Sequence, residues 1–182
     1  MAQFIAFEEG VEVNGQTILS VVEALQIGKE FRTAILAKHG IENPQPAVWY
    51  SQQAWLDAFR EIAETIGDRT LFMIGKVIPE HADFPPAIDT LEKALSSIDV
   101  AYHMNHRKGE IGHYTLTSFD EEKREATMVC NNPYPSEFDR GIITTMLRRF
   151  RPKVSFKYEV ILDTNEETRI NGGESCTYRI LW

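Results

Sequence analysis

The chain has 182 residues, of which 43% are hydrophobic, and a formal net charge of -8. That length and apolar fraction suffice for a single domain, residues 1–182, with a well-buried core. The acidic balance excludes broad contact with a polyanion, so no nucleic acid partner is expected.

In chain order, residues 4–7 read as a short strand or a docking arm, and Asn14-Gly15 as a turn. The opening residues lack the basic region and apolar core of a signal peptide, and no apolar run reaches the length of a membrane span. The expectation is a cytoplasmic protein without membrane insertion. Ile18, Val21, Val22 and Leu25 recur at helical spacing; Gly28 interrupts, and Phe31, Ile35 and Leu36 resume the pattern up to a stop at Gly40. One kinked helix and two helices fit this equally. Beyond the Asn43-Pro44-Gln45-Pro46 loop, Trp55, Phe59, Ile62 and Ile66 predict a helix from Ser51 to about Ile66. Residues 70–78 form a further helix despite Gly75, and residues 79–86 a loop. Ile88, Leu91, Leu95, Ile98 and Tyr102 then make the most regular seam of the chain, with Pro86 near its start and Gly109 at its end.

Residues 111–118 and 126–131 are strands joined by a charged turn. Pro133 and Pro135 forbid both helix and central strand. Phe138, Ile142, Ile143, Met146, Leu147 and Phe150 follow as one helical face, with Ser136 the expected N-cap, acids in the first turn and Arg148 and Arg149 in the last. Residues 154–162 and 175–182 alternate as half-buried strands. The result is an α+β class: an amino-terminal helical layer packed on a roughly four-stranded antiparallel sheet, with a strand-strand-helix-strand-strand carboxy-terminal half.

Three histidines lie close in sequence. At 100° per residue His103 stands about 80° and His106 about 20° from the direction of Leu95, so a helix that continues this far turns His106 inward. An inward imidazole there could ligate a metal or haem iron, bond a ligand, or pair with backbone. His103 and His106 are the candidate metal ligands, without the spacing of an H-E-x-x-H site. Cys130 and Cys176, the two cysteines, read as small buried hydrophobes. No G-x-S-x-G, P-loop or dinucleotide fingerprint is present. The reading is a non-enzymatic small-molecule-binding or sensory domain with an apolar pocket between helices and sheet, in which His106, His113 and Tyr134 offer polar contacts. The alternative is a small enzyme, a tetrapyrrole reductase or metal-dependent hydrolase, using His103, His106 and His113. The seam helix or the Trp55 face would serve as a homodimer surface.

Residues 126–150, the strand from Val154 and the ending Gly172-Gly173-Glu174-Ser175-Cys176-Thr177-Tyr178-Arg179-Ile180 resemble the 4-vinyl reductase-type domain. The last strand of that family runs Gly-x-x-x-Cys-x-aromatic-x-aliphatic, matched by Gly172, Cys176, Tyr178 and Ile180. The resemblance covers residues 70–182, and residues 1–69 are an unmatched helical part. Its superfamily includes haem nitric-oxide/oxygen-binding domains and subunits of the TRAPP Golgi-transport complex. It implies a pocket for haem, another tetrapyrrole, an acyl chain or a small apolar compound. In the haem-binding branch the proximal helix carries Leu-Asp-x-x-His; here Ile98-Asp99-Val100-Ala101-Tyr102-His103 puts Tyr102 at the ligand position and His103 one residue later. That branch holds the haem propionates with Tyr-x-Ser-x-Arg. Tyr134-Pro135-Ser136-Glu137-Phe138 keeps Tyr134 and Ser136 but replaces the arginine, and its charge-assisted clamp, with Phe138; Arg140 is the substitute at hand. The resemblance thus adds Tyr102, His103, Ser136 and Arg140 to the candidate ligand contacts.

Overall fold

The computed structural model describes residues 3–24 and 28–182. Its elements are β1 (Glu12–Asn14), α1 (Gly15–Ala24), α2 (Lys29–Lys38), β2 (Trp49–Ser51), α3 (Gln52–Ile66), α4 (Asp68–His81), α5 (Leu91–Met104), β3 (His106–Arg107), β4 (His113–Asp120), β5 (Glu125–Asn131), α6 (Ser136–Phe150), β6 (Glu159–Leu162), a 3-10 turn (Arg169–Asn171) and β7 (Cys176–Leu181). The helices pack around an antiparallel sheet of order β4-β5-β7-β6, and a second small antiparallel sheet has the order β2-β1-β3. The α+β architecture expected from the sequence is present.

Alternation decides which face of the larger sheet is buried. Ala126, Met128 and Cys130 of β5 pair in register with Ile180, Tyr178 and Cys176 of β7, and all six are buried. Both cysteines are free and fully enclosed, as the apolar reading of the sequence requires. One contiguous core runs from Val11 to Trp182 and joins the amino-terminal helices to the sheet. Helices α4 and α6 approach so closely that a Cβ on Gly75 would collide with the Phe138 carbonyl, and one on Gly141 with the Phe72 carbonyl. Glycine at these two helical positions costs about 1 kcal/mol each in propensity but lets the backbones meet. α6 is thereby fixed between helices and sheet.

Several local expectations change. Gly28, at φ 75°, separates two helices rather than kinking one, and Leu25 lies outside the described residues. Residues 4–7 form an arm, not a strand: Phe4 N–H donates to Pro133 O at 2.8 Å, and Phe4 O accepts from Gln53 Nε2 and Arg60 Nη2 at 3.0 and 2.9 Å. Helix α4 runs through Pro79 to His81, where a loop was predicted; the Pro79 carbonyl is taken up by the Arg149 guanidinium. Helix α5 stops at Met104, five residues before the predicted stop at Gly109, because the chain turns into β3 and pairs with β1. Ser136 is the first residue of α6 and not its cap. Its N–H donates instead to Gln3 Oε1 at 2.7 Å, so the amino-terminal arm closes this helix end. Only residues 159–162 of the predicted strand 154–162 join the sheet. Ser155 N–H turns back to Pro152 O at 2.9 Å, Arg151 Nε holds Ser155 O at 3.0 Å, and Phe156 is 92% exposed.

Candidate functional site

Helices α3, α4, α5 and α6 line most of an apolar cavity of about 120 Å³ that opens to the surface. Its wall includes Trp55, Ile78, Ile98, Ala101, Ile142 and Met146, and its polar edge is formed by Tyr102, His106, Tyr114 and Tyr134. The rim passes between α1 and α5, where Thr17 Oγ1 donates to Asn105 Oδ1 at 3.1 Å. An engineered cavity of similar size, ~150 Å³, admits benzene, so the space is on the scale of one aromatic ring.

The polar edge has a defined protonation pattern. His106 Nδ1 is 2.8 Å from Tyr102 O, and Nε2 is 2.7 Å from the Tyr134 hydroxyl. A carbonyl can only accept, so Nδ1 carries the proton and Nε2 accepts from Tyr134. Burial disfavours the imidazolium and lowers the His106 pKa to about 4, against the raising effect of the Tyr102 carbonyl. Burial pushes the Tyr102 phenol far upward, and its hydroxyl donates to Ile111 O at 2.6 Å. Tyr134 is likewise raised by burial. All three groups are neutral at physiological pH.

Beside them stands a set of underused polar atoms. Gln52 is fully buried next to the Tyr102 and Tyr134 phenols, close enough to bias their ionisation, and Trp55 abuts Tyr134. Yet Gln52 Oε1 and Nε2 and Trp55 Nε1 complete no hydrogen bond of regular geometry. Each such buried group costs about 1–3 kcal/mol unless something bonds to it.

Tyr114 links this cavity to a second buried polar group. Its ring faces the cavity and packs edge-on to Tyr102 at 5.2 Å, while its hydroxyl donates to Asp139 Oδ1 at 2.6 Å. Asp139 also pairs with Arg169 and accepts from Asn132 Nδ2 at 3.4 Å. Arg169 Nη1 donates to the carbonyls of Cys130 and Asn132 at 2.6 and 2.9 Å. Burial raises the Asp139 carboxyl, opposed by the Arg169 charge and the Tyr114 and Asn132 bonds. No motif in the sequence marks Asp139, Arg169 or Gln52; an acid and a base on a largely apolar helix face and in a turn were the available signals.

Of the seven candidate ligand contacts, the structure brings together Tyr102, His106 and Tyr134. Ser136 is buried against the arm and the sheet, where its carbonyl accepts from Tyr178, and it does not line the cavity. Arg140 binds Glu137 at 2.6 Å and covers the Phe72 ring, outside the cavity. His103 and His113 lie on the exterior with Asp99, not with His106. The candidate metal pair His103 and His106 is thus divided: both nitrogens of His106 are used internally, and His103 groups with other residues. His106, in β3, is carried inward, while His103, still on α5, faces the exterior.

No protein-family model and no curated protein matches this sequence. Solved structures do. The chain is similar to an H-NOX protein from S. oneidensis in the Fe(II)NO ligation state, at 14% identity over 92% of this chain and 97% of that chain, with a TM-score of 0.68. It is similar to the I5F mutant of T. Tengcongensis H-NOX, at 14% identity over 92% and 96%, TM-score 0.67. A third is an oxygen-binding H-NOX domain related to soluble guanylate cyclases, in its oxygen complex, at 16% identity over 92% and 94%, TM-score 0.64. The match extends through the amino-terminal helices that had no counterpart in the sequence reading, whereas the 4-vinyl reductase and TRAPP branches gain no support from these structures. The chain has the fold of the H-NOX domains.

Proposed function

We propose that this chain is a non-enzymatic, sensor-type domain that holds a small, largely apolar ligand, about one aromatic ring in size, in the cavity between α3, α4, α5 and α6. The observation that carries this reading is the apolar cavity edged by the neutral Tyr134–His106 couple, with the Trp55 indole, beside Tyr134, among its wall residues. Binding sites for small molecules combine an apolar wall with a few placed polar groups. A ligand bearing one hydroxyl or carbonyl would meet donors and acceptors already dehydrated, which lowers the cost of binding it. Discrimination against a ligand without that group follows from the same atoms, because it would leave them unbonded.

Haem is the second reading, favoured by one observation: the fold is shared with proteins described as Fe(II), Fe(II)NO and oxygen complexes of H-NOX domains. The residues in place do not fit it. A tetrapyrrole is several times larger than a ring-sized cavity. Tyr102, at the proximal position of the sequence pattern, is a neutral phenol donating to Ile111 O, whereas tyrosine ligates haem iron as in catalase through its oxygen. The His106 lone pair is occupied by Tyr134, and Phe138, in contact with Phe59 and Tyr134, stands where a propionate arginine was expected. The enzyme alternative is not favoured either, since its three histidines fall on two sides of the wall.

Native mass spectrometry of freshly purified protein, with its visible absorption spectrum, tests the proposal. A small adduct lost on denaturation and no Soret band is the expected result. A stoichiometric porphyrin mass with a Soret band would overturn the small-ligand reading in favour of haem.

A further inference from the structure

On the outside of the cavity wall, where the last turn of α5 meets the start of β4, Asp99, His103 and His113 converge. Each offers one ligand atom, and these atoms all lie within 4.8 Å of one another. We propose that they form a binding site for a borderline divalent transition-metal ion of the Zn²⁺ class, separate from the cavity and independent of the ligand reading.

Asp99 and His103 are four residues apart, so helix geometry stacks them on one face. His113 arrives from the first residue of β4. Its ring lies 4.9 Å from that of His103, and its Nδ1 is 3.3 Å from Asp99 Oδ1.

The outer contacts prepare these groups for coordination. The backbone N–H of Tyr114 donates to Asp99 Oδ1 at 2.8 Å and anchors the carboxylate. His103 Nδ1 lies 2.9 Å from the Asp99 carbonyl and 3.6 Å from Asp99 Oδ2; in the neutral ring the carbonyl takes the Nδ1 proton, so Nε2 carries the lone pair that a metal would use. An imidazole held by a backbone carbonyl through its other nitrogen is the usual second shell of a metal-bound histidine. Ligand atoms at ~2.0–2.1 Å from zinc in a tetrahedron stand roughly 3.4 Å apart. The widest pair, within 4.8 Å, therefore needs to contract by up to about an ångström and a half, which rotation of two half-exposed imidazoles can supply. Two imidazoles and one carboxylate leave the fourth position for water, and this donor set suits Zn²⁺, Co²⁺ or Ni²⁺ better than Mg²⁺ or Ca²⁺. The bound ion would tie α5 to the sheet at the residue that follows Tyr102, one of the cavity residues.

The experiment uses the full chain after chelator treatment, titrated with Co²⁺ by visible absorption and with Zn²⁺ by calorimetry at neutral pH. Saturable 1:1 binding at micromolar metal, weakened roughly tenfold or more in His113→Ala and in Asp99→Asn and unchanged in His81→Ala, is expected, because each ligand lost removes one metal bond. All three positions are at the surface or its edge, and circular dichroism of each variant confirms that it is folded. Absence of saturation up to millimolar metal would overturn the proposal, as would equal affinity in wild type and His113→Ala.

Discussion

The interior holds two polar groups that share one residue, Tyr114, and differ in how completely they are bonded. Around Asp139 and Arg169, three donors converge on one carboxylate, two carbonyls receive the guanidinium, and only Arg169 Nε is left over. Around His106 and Tyr134, the bonds are neutral, and three side-chain atoms, two of Gln52 and one of Trp55, complete no hydrogen bond of regular geometry; of these two residues Trp55 lines the cavity. The first arrangement is charged and nearly closed, as a structural clasp between α6, β5 and the turn before β7 must be. The second is uncharged and incomplete, and incompleteness next to a cavity is what a ligand can exploit.

Breaking the clasp has the largest expected effect. Arg169→Ala leaves Asp139 buried without its counter-charge and should cost about 3–5 kcal/mol in urea unfolding, enough to remove much of the stability of a domain this size. A loss below ~1 kcal/mol would show that the pair is dispensable.

Titration sharpens the contrast next. The folded His106 titrates near pH 4, below the ordinary 6.5, so the unfolded chain takes up its proton first. Stability from this group is complete above about pH 6.5 and is lost as the pH falls to about 4, by roughly 3 kcal/mol in all. Unfolding curves across that window should be steeper in pH for wild type than for His106→Phe; equal slopes would place the titration elsewhere.

A matched pair of hydroxyl deletions follows. Tyr114→Phe removes a bond to a charged carboxylate and should cost about 1.5–3 kcal/mol, whereas Tyr134→Phe removes a neutral one and should cost about 1 kcal/mol. The reverse order, read from chemical denaturation midpoints, would mean that the cavity edge carries the fold and the clasp does not. Smallest of all, His103→Ala in the metal-free protein should change stability by less than about 0.5 kcal/mol, because it is a surface substitution, while its effect on Co²⁺ binding is large.

Much of this fold is legible along the chain, and the unread parts have physical reasons. Trp55, Phe59 and Ile62 announce α3, and alternation announces β5 and β7, because one buried face imposes a period. Strands β1, β2 and β3 have three, three and two residues, too few for any period, so the smaller sheet could not be foreseen. Val154 and Phe156 alternate like a strand yet point to water, because alternation specifies a face and not a partner. At the site, Tyr102, His106 and Tyr134 were readable from the seam and the turn. The bond between Asp139 and Arg169 spans thirty positions and belongs to no local pattern. Gln52 begins α3 as an ordinary polar residue, and only its burial beside two phenols gives it meaning. His106 faces inward, the side its angle to the seam predicts, although α5 stops two residues before it; the meeting of His103 and His113 with Asp99 on the outside depends on where β4 begins, which a periodic pattern does not define.

Whether the cavity holds a ligand is tested by calorimetric titration with p-cresol, one ring with one hydroxyl, of the wild-type chain and of Ser97→Phe, which projects a ring into the cavity from α5. Saturable 1:1 binding by wild type and its loss in a Ser97→Phe protein of unchanged fold is expected. No binding by wild type, or undiminished binding by Ser97→Phe, would contradict the assignment of the cavity as the ligand site.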